Sequence, residues 1–372
     1  MTGKRSVIGA ALALGLIFAA PPGGAARALA QEAAAPVTVE YENLRELVRQ
    51  GNLSISQTVR DFDRSVADYQ EMYDILKWEQ SSMETEADQR EEDGDPEASL
   101  YDMNASMFKN SAKSITNMMD NMTDERATRS MEKQIDAAVL TAQTLMNSYN
   151  QMALTAKAQE KNAEALKNQY ESAVRQNAVG MATQAQVEEA KDAMDQAVNS
   201  AASASEQARE LRTSLLNYLG LEDTENVTIG TVPEPDLAAI EAVDYETDKN
   251  HAIGNSAQVQ SARHAGAATT YEKTRRFQSV AEVEGLAQAD YEAAYQSLAA
   301  ARVSYEAARD GYESARLEYE ALERRQQAGM LSQKDYLSGQ AQYLTAQAQW
   351  QTASMNLVQS FETYRCLVNG VA

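Results

Sequence analysis

The sequence predicts an all-α protein built of long antiparallel coiled-coil helical hairpins in two tandem repeats. Two glycines, Gly180 and Gly329, lie 149 residues apart in matching segments. The matching segments are Val179-Gly180-Met181-Ala182-Thr183-Gln184 and Ala328-Gly329-Met330-Leu331-Ser332-Gln333. Each glycine follows a long helical pattern and precedes another stretch with almost no Gly or Pro, and apolar residues keep a seven-residue spacing on both sides. Each repeat is therefore predicted to turn at its glycine.

The spacing of large residues predicts how the helices pack. Before Gly329 they recur at Tyr291, Leu298, Tyr305, Tyr312 and Tyr319, and after it at Tyr336, Tyr343, Trp350, Leu357 and Tyr364. The same register runs through the first repeat, from Ala142 to Tyr170 and from Val187 to Tyr218. Small residues accompany the large ones, which lets two helix axes approach closely, so tight coiled coils are expected. A single ordinary helical bundle is the alternative interpretation.

The distribution of proline excludes a β-rich or loop-rich domain. Of the six prolines, none lies between Pro96 and Pro233 or after Pro235. A long chain without proline is compatible with long helices, and the abundance of alanine over aromatic residues favours slender helices over one thick core.

The amino terminus predicts export. Lys4 and Arg5 precede an apolar run over residues 7–20, and Ala28-Leu29-Ala30 forms a small-residue cleavage site before Gln31. This pattern predicts a signal peptide over residues 1–30, with a membrane anchor as the alternative. The remaining chain is predicted to divide into a first helical repeat, 31–230, and a second, 231–372.

The charge of the chain limits its partners. It has 33 basic and 55 acidic residues and a net charge of −22, which becomes −25 once the three basic residues of the signal peptide are removed. This charge argues against nucleic acid and against anionic lipid as partners. It indicates a solvated surface outside the cytoplasmic membrane.

The densest acidic segment runs from Glu84 to Glu97 and contains Gly94 and Pro96. We expect a flexible, self-repelling linker here. A calcium loop is the alternative, although the spacing of the carboxylates does not match that of an EF-hand.

Residues for catalysis are scarce. His251 and His264 are the two histidines and Cys366 is the single cysteine, so neither a zinc site nor a Cys/His nucleophile is predicted. No phosphate-binding or dinucleotide-binding motif occurs. We therefore predict no enzyme activity, no catalytic residues, no metal and no cofactor.

The two glycine segments resemble the repeats of TolC-type outer-membrane efflux proteins. In that family a Val/Ala-Gly turn is followed by Ser or Thr and then by Asp-Val-Leu. The second segment follows this pattern through Asp335-Tyr336-Leu337, whereas Gln186 replaces the aspartate in the first segment. The first repeat also ends in Leu219-Gly220, as the family's helices do, and the resemblance covers most of the mature chain.

The resemblance implies a trimeric duct of six helical hairpins, a TolC-like α-barrel, with a periplasmic-type adaptor docking at the glycine turns and an inner-membrane transporter as a further partner. It implies a place in the cell envelope, at the outer membrane. The β-barrel strands of the family are expected to be absent or reduced here, because residues 264–285 and 60–136 lack the alternating apolar pattern of membrane strands.

The predicted function is that of an exported TolC-like component of an efflux or secretion system. The predicted docking residues are Gly180, Met181, Thr183, Gly329, Met330, Ser332 and Asp335. Thr183 and Ser332 are expected to cap the helices that follow the turns. The alternative is a non-conducting coiled-coil scaffold of the envelope, which the missing strands favour. The two arms are also unequal, because 129 residues separate Gly51 from Gly180 but only 75 separate Gly254 from Gly329, which argues against an evenly walled long tunnel.

Overall fold

The computed structural model describes residues 37–223 and 226–371, which belong to one compact unit. The predicted signal peptide lies outside these residues. The described residues form two strands and ten helices in this order: β1 (Val37–Val39), α1 (Leu44–Gly51), α2 (Leu53–Glu92), α3 (Ala98–Thr123), α4 (Glu125–Ala178), α5 (Gln184–Tyr218), β2 (Val227–Ile229), α6 (Leu237–Glu241), α7 (Tyr245–Asn255), α8 (Ala257–His264), α9 (Thr270–Gln327) and α10 (Gln333–Val368).

The long helices form two antiparallel hairpins, α4 with α5 and α9 with α10, as predicted. Helix α10 also packs against α4, so the helices lie in the order α5, α4, α10, α9. The predicted all-α class with coiled-coil hairpins is confirmed.

The seams of the two hairpins differ in side-chain size. In the first hairpin a buried cluster is made of Ala163, Ala197 and Ala201. In the second hairpin, the rings of Tyr312 and Trp350 stack with centroids 4.8 Å apart. Small seam residues such as alanine allow two helix axes to approach more closely than large aromatic rings do.

A short parallel pairing joins the start of the first repeat to its last residues. Val37 lies opposite Val227, and Val39 lies opposite Ile229. The sequence analysis missed these strands, although both segments consist entirely of β-branched residues, which favour extended backbone. Among the described residues, β1 and β2 are the only strands.

The first repeat carries an additional helical hairpin between α1 and α4. Helices α2 and α3 pack on each other, and their main contacts with the rest of the chain are to α1 and α4. The second repeat has only the short helix α8 at this place, packed on the start of α9. The unequal arms in the sequence therefore correspond to an inserted hairpin.

The expected linker over residues 84–97 is wrong for most of its length. Residues up to Glu92 belong to α2, and the turn is confined to 93–97, where Gly94 has a φ of 73°. Arg90 stabilises the turn, because its Nη1 atom lies 2.9 Å from Asp95 and 3.6 Å from Glu97. Buried Ala87 keeps this part of α2 packed on α3, and the dense charge lies on the solvent side.

The opposite ends of α5 and α10 are held by close backbone approaches. A Cβ atom on Gly220 would overlap the carbonyl of Gly51, and one on Gly370 would overlap the carbonyl of Asn255. Beside these contacts, the side-chain amide of Asn52 donates to the carbonyl of Tyr218 (3.0 Å), and that of Asn255 to the carbonyl of Val368 (2.9 Å). Both repeats thus fix the base of their hairpin in the same way.

Candidate partner-docking site

The first glycine turn closes α4 with two backbone hydrogen bonds. The N–H of Gly180 donates to the carbonyl of Asn177 (2.9 Å), and that of Met181 donates to the carbonyl of Gln176 (2.8 Å). This is the Schellman arrangement, which places the glycine in the left-handed region, and Gly180 has a φ of 73°. Helix α5 then starts with a capping box between Thr183 and Gln186.

The second turn has the same geometry. The N–H of Gly329 donates to Gln326 (3.0 Å) and that of Met330 to Arg325 (2.9 Å), while φ of Gly329 is 68°. Ser332 caps α10 by accepting a hydrogen bond from the N–H of Asp335 (3.1 Å). Both expected glycine conformations and both expected caps are present.

The two turns lie at the same end of the molecule. Helices α4 and α10 are antiparallel, with Asn147 opposite Gln359 and Gln151 opposite Asn356. Continuing this register along α4 and α10 brings the end of α4 level with the start of α10. The second glycine turn, which joins α9 to α10, therefore lies beside the first. The seven predicted docking residues therefore belong to one end of the fold.

Each turn presents an exposed methionine at its tip. The side chain of Met181 is 79% exposed and that of Met330 is 77% exposed. Val179 is also exposed and was not among the predicted docking residues. Two methionines on rigid turns offer a soft apolar contact for a partner.

A residue that the sequence analysis did not select stiffens the first turn. The side-chain amide of Asn177 donates to the carbonyl of Ala182 (2.9 Å), which ties the last turn of α4 to the residue before the cap. Asparagine three residues before the glycine of the turn is the signal that could have identified it.

A groove runs between the two hairpins towards the turns. It has a volume of about 830 Å³, is formed by α4, α9 and α10, and is lined entirely by Ala, Ser, Thr, Asn and Gln side chains. Further towards the base, Asn147 donates to Gln359 (2.6 Å) and Gln151 donates to Asn356 (2.8 Å). This groove is therefore polar and uncharged, although the chain is strongly acidic.

Tyrosines of the seams and the cysteine are among the groups with raised pKa values. Burial and a hydrogen bond with Tyr336 raise the pKa of Tyr319, and burial raises the pKa of the Cys366 thiol to about 11. Both changes favour the neutral form, which fits packing roles. Within residues 37–223 and 226–371, no group of three or more His, Cys, Asp or Glu side chains could hold a metal ion.

In the part of the chain that the structure describes, none of the helices combines the length and the apolar character needed to cross a bilayer.

No protein-family model and no curated protein matches the chain. Among solved structures, it is similar to a membrane protein from Pseudomonas aeruginosa, with 14% identity and a TM-score of 0.49 over 90% of this chain and 91% of the other. It is also similar to CusC, described in terms of transmembrane channel formation, with 14% identity and a TM-score of 0.43 over 83% of this chain and 97% of the other. The outer-membrane channel OprN is similar with 12% identity and a TM-score of 0.44 over 89% and 90% of the two chains.

Proposed function

We propose that the protein is an exported TolC-like component of an efflux or secretion system, in which copies of the chain close into a ring of helical hairpins. The observation that carries the proposal is the row of helices α5, α4, α10 and α9, whose two glycine turns lie at one end. The resemblance in sequence implies three copies, and therefore six hairpins.

The row has two edges that can meet. Among the described residues, α5 packs mainly on α4, and α9 packs on α10 and on the short helices α7 and α8. A head-to-tail contact between α9 of one copy and α5 of the next would repeat around an axis and close a ring.

Internal symmetry indicates which residues would meet. The positions of α4 that face α10 recur every seven residues at Asn147, Leu154 and Lys161. The two repeats are 149 residues apart, so the corresponding positions on α9 are Gln296, Val303 and Asp310. Val303 is 66% exposed, and Leu317, seven residues beyond Asp310, is 58% exposed. Exposed apolar residues on this edge of α9 are explained if it is covered in the ring.

The same shift applied to α10 selects the facing residue on α5. Gln359, which accepts a hydrogen bond from Asn147, corresponds to Glu210 on the outer side of α5. Gln296 of one copy should therefore approach Glu210 of the next copy, and the amide can donate to the carboxylate.

The glycine-turn end is the proposed docking site for an adaptor, which would connect the ring to an inner-membrane transporter. Support comes from the exposed Met181 and Met330 and from the backbone hydrogen bonds that fix both turns. The hydrogen-bonded backbone of the turns loses little conformational freedom on binding, and the flexible methionine side chains can adapt to the surface of a partner.

The ring is tested by cross-linking between copies of the mature protein. In a Cys366→Ser background, Gln296→Cys and Glu210→Cys are combined and treated with a short bifunctional maleimide. The expected result is covalent species that contain more than one chain, up to the full ring. Each single-cysteine variant controls for random collision.

A matched control tests the register as well as the contact. Leu317 lies on the same edge of α9 as Gln296, three heptads away, which is about 31 Å along the helix. The pair Leu317→Cys with Glu210→Cys should not cross-link. Equal yields from both pairs, or a monomer in sedimentation at micromolar concentration, would contradict the ring.

Docking is tested separately with Met181→Glu combined with Met330→Glu. Efflux of a fluorescent dye from cells that carry this variant in place of the wild type should be lost, while the ring cross-link is retained. Unchanged efflux would place the adaptor elsewhere. If the wild type forms the ring but deleting its gene changes no efflux, the protein is a non-conducting scaffold.

A further inference from the structure

Helix α3 carries two seams, of which the first packs against α2 and the second is exposed to solvent. The first seam of α3 has spacings of four and three residues and is buried or half-buried against α2. It consists of Tyr101, Ala105, Phe108, Ala112, Ile115, Met119 and Met122.

A second seam with the same spacing lies one residue before the first. It consists of Leu100, Asn104, Met107, Ser111, Ser114, Met118 and Asn121, and every member is exposed. Leu100 is 52% exposed, Met107 is 62% exposed and Met118 is 49% exposed. A heptad spacing on an exposed helical face is the pattern of a coiled-coil partner surface.

Charge distinguishes this seam from the rest of the hairpin. Helix α2 carries eleven acidic and four basic residues, whereas α3 carries two of each. The four charged residues of α3 all fall on the other side of its first seam, at Asp102, Lys109, Lys113 and Asp120. The second seam is free of charge along its whole length.

The face continues onto α2, where it carries both apolar and acidic residues. In an antiparallel pair, positions on the same side of each seam lie on one face of the hairpin. By this rule Met72 and Ile75, both about half exposed, share the face with the second seam of α3. Asp68, Glu79 and Glu86 occupy matching positions of α2 on the same side, so α3 must lie at the centre of the contact for these carboxylates to stay in water.

We propose that the second seam of α3 binds the same seam in other copies of this chain, forming a parallel coiled coil at the end of the molecule opposite the glycine turns. Parallel alignment sets Asn104 against Asn104 and Asn121 against Asn121, so that each amide meets a group that can both donate and accept. An antiparallel alignment would set Leu100 against Asn121 instead.

The size of the face fits such a contact. Helix α3 has 26 residues and is therefore about 39 Å long, and a face two helices wide covers roughly 800 Å². This is about the area that each partner contributes to a stable protein–protein interface. A few polar residues at seam positions set register and number of copies at a cost in stability.

The proposal does not depend on the contact between α5 and α9, because it uses a separate part of the fold. Copies arranged around one axis would nevertheless have parallel α2–α3 hairpins, so the two contacts are compatible.

The test uses the full mature chain with Cys366→Ser. Met107→Cys and, separately, Asn104→Cys place a thiol on the second seam, and Ser106→Cys places one on the charged side of the same helix turn. After mild oxidation, both seam variants should form disulfide-linked dimers and the Ser106→Cys variant should not. Circular dichroism of all three variants confirms that the helices are retained.

Loss of the contact is tested by adding Met118→Glu to the Asn104→Cys variant, because a carboxylate in every copy would be brought together in the seam. The disulfide-linked dimer should be lost. Equal yields from Asn104→Cys, Met107→Cys and Ser106→Cys, or no dimer from any of them, would overturn the proposal.

A different occupant would give a different result. If the seam variants do not cross-link but the protein floats with vesicles of phosphatidylcholine and phosphatidylglycerol, the face binds lipid and the proposal is wrong.

The two cross-linking experiments also separate the coiled coil from the ring. If the seam variants cross-link while Gln296→Cys with Glu210→Cys does not, the coiled coil is supported and the ring is wrong. The reverse result supports the ring alone.

Discussion

Tyr319 and Tyr343 stack across the second hairpin with ring centroids 4.9 Å apart and planes only 10° apart. Tyr343 also contacts Tyr312, which in turn stacks on Trp350, and Tyr319 contacts Tyr336. Five rings therefore form a continuous aromatic ladder between α9 and α10. The corresponding positions of the first hairpin are Tyr170, Met194, Ala163, Ala201 and Val187.

Tyr343→Ala should destabilise the second hairpin more than any single truncation at the corresponding positions of the first. The change removes two ring contacts and leaves a gap between α9 and α10, which costs about 2 to 3 kcal/mol. Urea unfolding followed by circular dichroism measures the loss. Met194→Ala is the matched control and should cost less; an equal loss would show that the ladder adds nothing beyond burial.

The seams and both glycine turns could be predicted from the sequence because they depend on local spacing. Heptad positions such as Tyr291 and Tyr364 are buried as expected, and glycine is the residue that adopts a positive φ without strain. The docking role of the turns stays a prediction, since it concerns a partner.

Features that depend on distant parts of the chain could not be predicted. The pairing of Val37 with Val227 joins three-residue strands 190 residues apart, too short for a recognisable pattern. The expected linker over 84–97 failed for a different reason. The acidic residues concealed a helical seam through Met83 and Ala87, because charges at the solvent-facing positions do not prevent a helix whose seam is packed.

Tyr364→Phe should reveal a dependence of stability on alkaline pH. Burial, followed by hydrogen bonds with Tyr291 and with Asp248, raises the pKa of Tyr364 above its ordinary value. The folded protein therefore keeps this proton more strongly than the unfolded chain, whose tyrosines ionise near pH 10. The contribution is complete below about pH 10 and is lost as the pH rises further.

The measurement is the free energy of unfolding from pH 8 to pH 11. At pH 8, Tyr364→Phe should be less stable by about 1 to 2 kcal/mol, because Asp248 and Tyr291 lose a hydrogen-bond partner. Above pH 10 the variant should lose stability less steeply than the wild type. Identical slopes would show that Tyr364 does not contribute to the alkaline loss.

Gly370→Ala should be far more damaging than Gly329→Ala, although both glycines have a φ near 70°. Nothing lies within 4 Å of a Cβ atom on Gly329, so that change costs only the backbone strain, about 1 kcal/mol. On Gly370 the same atom would overlap the backbone of Asn255, and the base of the hairpin must move. We expect a cost of about 3 kcal/mol or more.

Thermal unfolding of the two variants checks this difference. Gly220→Ala should behave like Gly370→Ala, because its Cβ atom would overlap the backbone of Gly51. Equal effects of Gly329→Ala and Gly370→Ala would mean that the close approach at the base is easily relieved.

The helix after each glycine turn differs in charge at its third residue, and changing that charge should alter the stability of the protein. Adding a negative charge there should stabilise the protein and removing one should destabilise it. Asp335 carries a negative charge in the first turn of α10, where the N-terminal end of the helix dipole is positive, whereas α5 has the neutral Gln186 at the matching place. Gln186→Glu keeps the side-chain length that the capping box with Thr183 requires, and should stabilise the protein by about 0.5 kcal/mol at low salt. Asp335→Asn should destabilise it by a similar amount.

Both effects should shrink in 1 M salt, where the screening length falls to about 3 Å. Unfolding in urea at low and high salt measures them, and an effect of Gln186→Glu that does not change with salt would show that packing at the turn, and not the helix dipole, is responsible.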